Sequence, residues 1–205
     1  MKNTCRLNKE EGIYVGENCS GTVENNICEK NGESGINIIN TPEDVLVKGN
    51  WCRENRSSGI WLTKVQNTTV QNNLCSRNNL KGIEFGKTGK AIIQHNTCEN
   101  NRLGGIHVYD KDTEAVLKDN FCIENNYSGI SFEDGASGIV ENNICENNPW
   151  SGIAVRGEGT NPVLIKNRCN NNGAWGIISW AGADPNIEDD NETVGNWRQG
   201  IMHRD

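Results

Sequence analysis

Apolar and polar side chains alternate in short runs that recur every 23 or 24 residues along this 205-residue chain. Each run contains a Gly-Ile pair, and an apolar residue usually follows the Ile two positions later, as at Val15, Ile38 and Phe85. The nine pairs are Gly12-Ile13, Gly35-Ile36, Gly59-Ile60, Gly82-Ile83, Gly105-Ile106, Gly129-Ile130, Gly152-Ile153, Gly176-Ile177 and Gly200-Ile201. Alternation with a period of two predicts a strand rather than a helix. We therefore predict a short strand at every Gly-Ile pair.

Three further columns of residues repeat with the same interval. One column is apolar and contains Val23, Val47, Val70, Ile93, Leu117, Val140 and Leu164. Two columns are asparagine, one running from Asn3 to Asn191 and the other from Asn8 to Asn196. Asparagine tolerates turn conformations and can hydrogen-bond to a stacked copy of itself. The repeat predicts an all-β, right-handed, single-stranded parallel β-helix of about nine coils, with three short strands per coil and one domain over residues 1–205.

A leucine-rich repeat is the rival interpretation, because its period overlaps with this one and it also carries an Asn or Cys column. That fold needs several leucines in each repeat. The whole chain contains eight leucines for nine coils, so we reject it.

Eight of the nine cysteines share one repeat position: Cys5, Cys28, Cys52, Cys75, Cys98, Cys122, Cys145 and Cys169. Disulfides between adjacent coils are an alternative on distance, but each interior cysteine would have two equivalent neighbours. A metal site is weaker, since no Cys-x-x-Cys or His cluster accompanies the column. We expect a ladder of small apolar thiols facing the core. Only Cys19 lies outside the column.

Net charge and hydropathy bear on which classes of partner the protein can have. The net charge is −7, and the chain lacks the Lys and Arg clusters that nucleic acid requires, so we expect no nucleic-acid partner. No apolar stretch has the length of a membrane span, and the first residues lack the hydrophobic region of a signal peptide. Together with free thiols, these features favour a reducing, cytoplasmic compartment and no membrane partner.

The run from Asn142 to Val155, NNICENNPWSGIAV, resembles the parallel β-helix repeats of the pectin-lyase-like superfamily. It is most similar to the repeats called carbohydrate-binding and sugar-hydrolase domains, which also occur in NosD-like proteins. This resemblance implies a β-helix along essentially the whole chain. It implies no single activity, because the superfamily includes polysaccharide lyases, hydrolases and epimerases as well as adhesins and recognition modules.

Two activities from the superfamily lack their residues here. Polygalacturonases place Asp residues and a His at or just before the strand that matches the Gly-Ile pair. The residues before these glycines are Glu11, Ser34, Ser58, Lys81, Gly104, Ser128, Ser151, Trp175 and Gln199, which supply neither. A NosD-like copper role is likewise unsupported by three scattered His and two Met.

The outward-facing positions of the Gly-Ile strand vary where the inward ones are uniform, and they hold the candidate site. The first outward column includes Trp61, Glu84 and His107, and the second includes Tyr109, Glu133, Arg156 and Trp180. We predict these seven residues as ligand-binding. Glu84, His107, Glu133 and Arg156 are the catalytic candidates, since carboxylates beside a His can perform acid–base chemistry. The alternative is a solvated surface with a Glu133–Arg156 ion pair.

Two other groups have open interpretations. Asp110, Asp112 and Asp134 could supply oxygen ligands to Ca²⁺, or could form an acidic turn; no other cofactor is expected. An aromatic group in successive turns before the Gly comprises Tyr127, Trp150, Trp175 and Trp197. It is either a ridge that stacks on sugars or a packing cluster.

Our preferred functional interpretation is a non-catalytic binding module that recognises a glycan on the outer face of the Gly-Ile strand. No coil carries a long insertion, whereas catalytic clefts are usually walled by loops. The alternatives are a polysaccharide lyase, glycoside hydrolase or epimerase, and a protein-interaction or assembly scaffold.

The two ends of the repeat differ. We expect the C-terminal coil, residues 187–205, to act as a polar cap, because Ser179, Glu188, Thr193 and His203 stand where apolar or Cys residues belong. The N-terminal coil is expected to be uncapped. An open end predicts either self-association end to end or continuation into a longer parent chain.

Overall fold

The computed structural model describes residues 2–42 and 44–204, and their regular structure is entirely β. The strands are β1 (Thr4–Arg6), β2 (Ile13–Gly16), β3 (Gly21–Glu24), β4 (Ile27–Glu29), β5 (Ile36–Thr41), β6 (Val45–Lys48), β7 (Trp51–Arg53), β8 (Ile60–Gln71), β9 (Leu74–Ser76), β10 (Ile83–Gln94), β11 (Thr97–Glu99), β12 (Ile106–Tyr109), β13 (Thr113–Lys118), β14 (Phe121–Ile123), β15 (Ile130–Glu133), β16 (Ser137–Glu141), β17 (Ile144–Glu146), β18 (Ser151–Arg156), β19 (Val163–Ile165), β20 (Trp175–Trp180), β21 (Asn186–Ile187) and β22 (Gln199–Arg204).

Every strand pairs in parallel with the equivalent strand of the next coil, so the chain is a β-solenoid of about nine turns. The Cys strands form one seven-stranded sheet, in the order β1-β4-β7-β9-β11-β14-β17. The Gly-Ile strands and the third strand of each coil form the larger sheet. In register, Cys28 pairs with Cys52 and Ile36 with Ile60. Each column of the sequence repeat is therefore a vertical stack of side chains, spaced by about 4.8 Å.

The core is one continuous column inside the coils. It contains the Ile of the Gly-Ile pairs, the apolar residue two positions later, the third-strand apolar column and the thiols from Cys28 to Cys169. All nine cysteines are free, so the predicted thiol ladder is present and the disulfide alternative is wrong. Burial raises the pKa of the thiols of Cys75, Cys122 and Cys145.

Two asparagine ladders run beside this core. Asn101 shows the pattern: its backbone N–H and its Nδ2 both donate to Oδ1 of Asn125, at 3.1 and 2.9 Å, and Nδ2 also donates to the Cys75 carbonyl at 3.0 Å. Asn78 donates to Asn101 in the same way. The amides thus satisfy buried backbone groups at corners where strand pairing is interrupted.

Residues in the left-handed backbone region precede the ladder asparagines. One such column contains Leu7, Lys30, Glu54, Arg77, Asn100, Glu124, Asn147, Asn171 and Gly195, with φ between 53° and 70°. Left-handed backbone is unfavourable for residues with a Cβ. The ladder bonds hold these corners in spite of that cost, so the residue type at the corner is free to vary.

The structure departs from the sequence prediction in two places. In β8 and β10 the second and third strands of a coil run together into single strands of 12 residues. At the C-terminal end, Ile187 pairs with Leu164 and packs against the core, whereas Glu188 is exposed. The assignment of Glu188 to the inward column is wrong by one residue, because one extra residue lies between β21 and the ladder asparagine Asn191, whereas Ile187 follows Leu164 at the usual interval of 23 residues.

The ends of the column are less covered than its middle. At the N-terminal end, Cys5, Ile13, Val15 and Val23 are only partly buried. At the other end, Ser179 is buried and its Oγ lies 2.7 Å from Nδ1 of His203. Capping by residues 187–205 and end-to-end association stay predictions. The described residues include no helix with the length and apolarity of a membrane span.

Candidate functional site

The two outward columns of the Gly-Ile strand have the predicted register. Trp61 pairs with Glu84, and Glu84 pairs with His107. In the neighbouring column Tyr109 pairs with Glu133, and Glu133 pairs with Arg156. Parallel pairing without a shift at these residues therefore brings side chains from five successive coils onto one strip of the sheet.

His107 lies between two carboxylates from different coils. Its Nδ1 is 3.9 Å from Oε1 of Glu84, and its Nε2 is 3.8 Å from Oε2 of Glu133. All three side chains are largely covered, with exposed fractions of 13% for His107, 14% for Glu84 and 25% for Glu133. A partly buried His with a carboxylate at each ring nitrogen is suited to accept and return a proton.

Glu84 is held in place by two residues of the column that precedes the Gly. Ser58 Oγ donates to Oε2 of Glu84 at 2.8 Å, and Nζ of Lys81 lies 3.2 Å from Oε1. Neither residue was among the predicted site residues. Both residues directly precede a glycine of the repeat. Their position beside the outward-facing residues of the Gly-Ile strand is the signal by which the sequence could have identified them.

Tyr109 packs against His107 and over a glycine. The two rings are stacked, with centroids 4.9 Å apart and planes inclined by 19°. In the coil before, Gly86 leaves open the space that the phenol ring occupies. Burial raises the pKa of Tyr109 above its usual value. The phenol therefore stays protonated at neutral pH and can act as a proton donor.

The Glu133 carboxyl is paired with His107 rather than Arg156. Interaction with the His107 ring, assisted by the positive charge of Arg156, holds the pKa of Glu133 below its usual value. Arg156 is exposed, and among the ion pairs of the described chain none joins it to Glu133. Within the described residues, the Glu133–Arg156 ion pair of the alternative interpretation does not form, because the neighbouring outward column places His107 nearer to the carboxyl.

Some of the buried polar atoms without partners lie at this strip. Nε1 of Trp61, Oγ1 of Thr63 and both ring nitrogens of His107 are buried and have no hydrogen-bond partner within residues 2–42 and 44–204. Lys87 Nζ lies 5.9 Å from the Trp61 ring centroid. Buried polar groups are normally satisfied, and in a functional site such atoms are available to a ligand.

Trp180 lies in a separate apolar cluster towards the C-terminal coils. With Trp150 and Met202 it packs against a small group of buried residues on the outside of the solenoid, namely Ala154, Ala174, Trp175 and Ile178. The structure therefore brings Trp61, Glu84, His107, Tyr109 and Glu133 together, with Arg156 at their edge. Trp180 belongs to the neighbouring surface.

The three aspartates predicted as Ca²⁺ ligands all have left-handed backbone, with φ of 73° at Asp110, 63° at Asp112 and 56° at Asp134. Asp tolerates this conformation better than most residues, which explains the acidic turn. In the part of the chain that the structure describes, no group of three or more His, Cys, Asp or Glu is placed to hold a metal ion. Calcium binding here stays an untested expectation.

The strip thus combines a base, a proton donor and cations. The His107 ring can take a proton while the ionised Glu133 stabilises the imidazolium that results. The Tyr109 phenol can supply a proton beside it. Lys81 and Arg156 place positive charge at the two ends of the group.

Comparison with known proteins agrees with this architecture. The sequence matches the family described as right handed beta helix region over residues 2–121 and 112–205. The chain belongs to this family. Among curated proteins no sequence matches.

Several solved structures share the fold. A mutant of the periplasmic alginate epimerase AlgG has a TM-score of 0.72 and 16% identity, with 97% of this chain and 50% of that chain covered. The A-module of the Azotobacter vinelandii mannuronan C-5 epimerase AlgE6 has a TM-score of 0.67 and 16% identity, covering 98% and 56%. An alginate lyase from Paenibacillus sp. str. FPU-7 has a TM-score of 0.61 and 10% identity, covering 99% and 98%. This chain spans about half the length of the two epimerase structures.

Proposed function

We propose that this protein acts on an acidic, uronate-containing polysaccharide, by removing the proton at C5 of a uronate in an epimerisation or a β-elimination. The observation that carries the proposal is His107, whose ring nitrogens lie 3.9 and 3.8 Å from Glu84 and Glu133 without a hydrogen bond in the described chain, while its face packs on Tyr109. A protein surface has little structural need for such an arrangement, whereas perturbed titratable groups in one cluster are typical of catalytic sites.

Each residue has a role in this proposal. His107 removes the C5 proton, and Glu133 stabilises the imidazolium that forms. The electron pair left at C5 is delocalised into the uronate carboxylate, whose charge is balanced by Lys81 or Arg156. The protonated Tyr109 then returns a proton to C5 from the other face, or donates one to the leaving oxygen at C4. Glu84, held by Ser58 and Lys81, orients the His107 ring through Nδ1.

The structural neighbours support the substrate class. Those named above are two alginate epimerases and an alginate lyase, and alginate is a polymer of uronates. These likenesses favour the polysaccharide-active alternative over the non-catalytic binding module that we preferred from the sequence. At 10–16% identity they concern the fold, so the assignment of chemistry rests on the cluster around His107.

Glycan binding without catalysis is the second candidate. It is favoured by the uniform coils, which put no long loop around the strip. The two candidates differ in what His107 does, because a binder needs the shape and charge of the strip but no base. If the protein only binds the polysaccharide, the His107→Ala variant should still bind it. Neither the wild type nor the variant should then convert the polysaccharide to a product.

The test is incubation of the purified chain with alginate and other polyuronates, followed by NMR analysis of C5 configuration and of unsaturated ends. We expect one of these products from the wild type and none from His107→Ala. His95→Ala is the matched control: His95 is exposed and lies 3.8 Å from Asp119, away from the strip. It should retain full activity.

Two results would contradict the proposal. One is the absence of either product from every polyuronate by the wild-type chain. The other is equal activity of His107→Ala and His95→Ala, which would place the chemistry elsewhere.

A further inference from the structure

The third strand of each coil presents a largely apolar stripe to the outside of the solenoid. The stripe is one column of outward side chains that pair in register from coil to coil: Leu46, Thr69, Ile92, Val116, Ile139 and Val163. Ile92 is 44% exposed and Ile139 is 41% exposed. Single exposed apolar residues are ordinary on a protein surface. A column of them over successive coils is a contiguous patch, which is typical of an interaction surface.

An open groove of about 680 Å³ runs along one side of the stripe. Leu46, Ile92 and Val116 line it, and so do the residues two positions before the stripe, namely Asp44, Asn67, Lys90 and Glu114. We call these four, with Ser137 of the next coil, the Glu114 column. Nζ of Lys90 lies 2.7 Å from Oε2 of Glu114, and their side chains are 66% and 50% exposed. The groove is therefore accessible from solvent and has a charged wall.

A second polar column lies on the other side of the stripe, two positions after it. This column, which we call the Lys118 column, contains Lys48, Gln71, Gln94, Lys118 and Glu141. Nζ of Lys118 lies 3.2 Å from Oε2 of Glu141, and Nε2 of Gln94 donates to Oε1 of Gln71 at 3.0 Å. The apolar stripe is thus bordered by polar side chains on both sides.

The charges of the two columns are complementary under one symmetry. A two-fold axis that lies over the stripe, parallel to the solenoid axis, places each third strand opposite the same strand of a second copy, with its direction reversed. Each stripe residue then faces itself, and the Glu114 column of one copy faces the Lys118 column of the other. Asp44 faces Lys48, and Glu114 faces Lys118. Opposite charges meet at both pairs, and no like charges meet between these columns.

An antiparallel arrangement matches these charges less well. A two-fold axis perpendicular to the solenoid axis makes each column face itself in reverse order. With the six stripe residues fully overlapped, Lys48 faces Ile165 and Lys118 faces Gln94. Lys90 and Glu114 are then the charged residues of these columns that meet an opposite charge. The parallel arrangement therefore pairs more of the charges.

We propose that the stripe is the interface of a homodimer in which two solenoids lie side by side and parallel, related by the first two-fold axis. Ile92 packs on the same residue of the second copy, whose Lys118 column fills the groove. The interface is about 24 Å long and about 13 Å wide. Specific interfaces of this small size are weak, so we expect a micromolar dissociation constant. The strip that contains His107 lies on the Gly-Ile strands, so the proposal does not depend on the proposed function.

Sedimentation velocity of the purified chain, from low micromolar to several hundred micromolar concentration at low salt, measures the association. Ile92→Lys places a charge where each copy faces itself, and it should weaken the dimer roughly a hundredfold. Phe121→Lys is the matched control, because Phe121 is also 44% exposed but lies on the Cys sheet in β14. It should leave the dissociation constant unchanged.

A pair of charge reversals tests the parallel arrangement. Glu114→Lys alone and Lys118→Glu alone each put like charges opposite one another, and each should weaken the homodimer about tenfold. An equimolar mixture of the two variants should associate again, because opposite charges then meet at both positions. The Glu114 and Lys118 side chains are 50% and 44% exposed, so we expect both variants to fold.

Four results would overturn the proposal. The first is a wild-type chain that stays monomeric at several hundred micromolar. The second is a dimer that survives Ile92→Lys but is lost in Phe121→Lys, which would place the interface on the Cys sheet. The third is a dimer that survives both changes, as an end-to-end stack would. The fourth is a mixture of the charge-reversal variants that associates no better than either variant alone.

Discussion

A Cβ atom on Gly86 would lie 2.5 Å from Cζ of Tyr109, so the phenol ring occupies space that only a glycine leaves open. This contact sets the position of Tyr109, which stacks on His107 on its other side. Gly86 and Tyr109 come from adjacent coils and pair directly in the sheet. A glycine outside the reacting group thus positions the proposed proton donor.

Gly86→Ala should displace the Tyr109 ring and lower turnover roughly ten- to a hundredfold, because misplacing a reacting group by about 1 Å has effects of that size. Stability should fall by only about 1 kcal/mol, since a partly exposed ring can move aside. Gly16→Ala is the matched control: its Cβ would meet the Tyr14 ring at 2.6 Å, far from His107. Equal turnover in the two variants would remove Tyr109 from the mechanism.

Glu133 should contribute stability that depends on pH. Its pKa in the folded chain is depressed by His107, so the contribution is present above the usual carboxyl pKa and disappears as pH falls through the lower folded value. The difference in unfolding free energy between wild type and Glu133→Gln should therefore shrink as pH falls below the usual carboxyl pKa. Urea unfolding at several pH values measures it, and a difference independent of pH would refute the pairing with His107.

The thiol ladder predicts a distinctive labelling pattern. Cys19 is exposed and Cys5 is partly buried, whereas the other seven cysteines are buried. In the folded chain, a thiol reagent such as DTNB should modify one cysteine quickly and a second slowly. The remaining cysteines should react only at the rate of unfolding, because burial keeps the reagent away from their sulfur atoms. Rapid modification of more than two would contradict the inward orientation of the ladder.

An asparagine in the middle of a ladder should contribute more to the free energy of unfolding than one at its end. Asn101→Ala removes the side-chain bonds to Asn125 and the Cys75 carbonyl and deprives Asn78 of its acceptor, which should cost about 3 kcal/mol. Asn8→Ala affects only the exposed end of the same ladder and should cost below about 1 kcal/mol. Denaturant unfolding compares them, and equal losses would mean that the ladder does not act as a stack.

The sequence predicts the fold well because each column repeats nine times, so parallel stacking turns a linear interval into a spatial neighbour. For the same reason it predicts correctly that Glu84, His107 and Glu133 come from adjacent coils. The directions in which the outward side chains point do not repeat from coil to coil. The pairing of Glu133 with His107 instead of Arg156 depends on how rings and carboxylates turn across columns, and the strand register leaves that undetermined.

The repeat also does not predict the structure of irregular segments. Counting back from Asn191 gives Glu188 instead of Ile187, because one extra residue lies between β21 and that asparagine. The roles of Ser58 and Lys81 depend on how their side chains reach across to the Glu84 carboxyl, which the repeat alone does not predict. The burial of Ala154 and Ile178 depends on large neighbours, Trp150 and Trp180, that fold over the outer face.

The most direct test of His107 as a base is the release of a hydrogen isotope from C5 of a polyuronate, since epimerisation and β-elimination both break that bond. With C5-labelled alginate, the wild-type chain should release label into water, His95→Ala should match it, and His107→Ala should release label no faster than buffer alone. Label that stays on the polymer with the wild type, or release that persists in His107→Ala, would contradict the account.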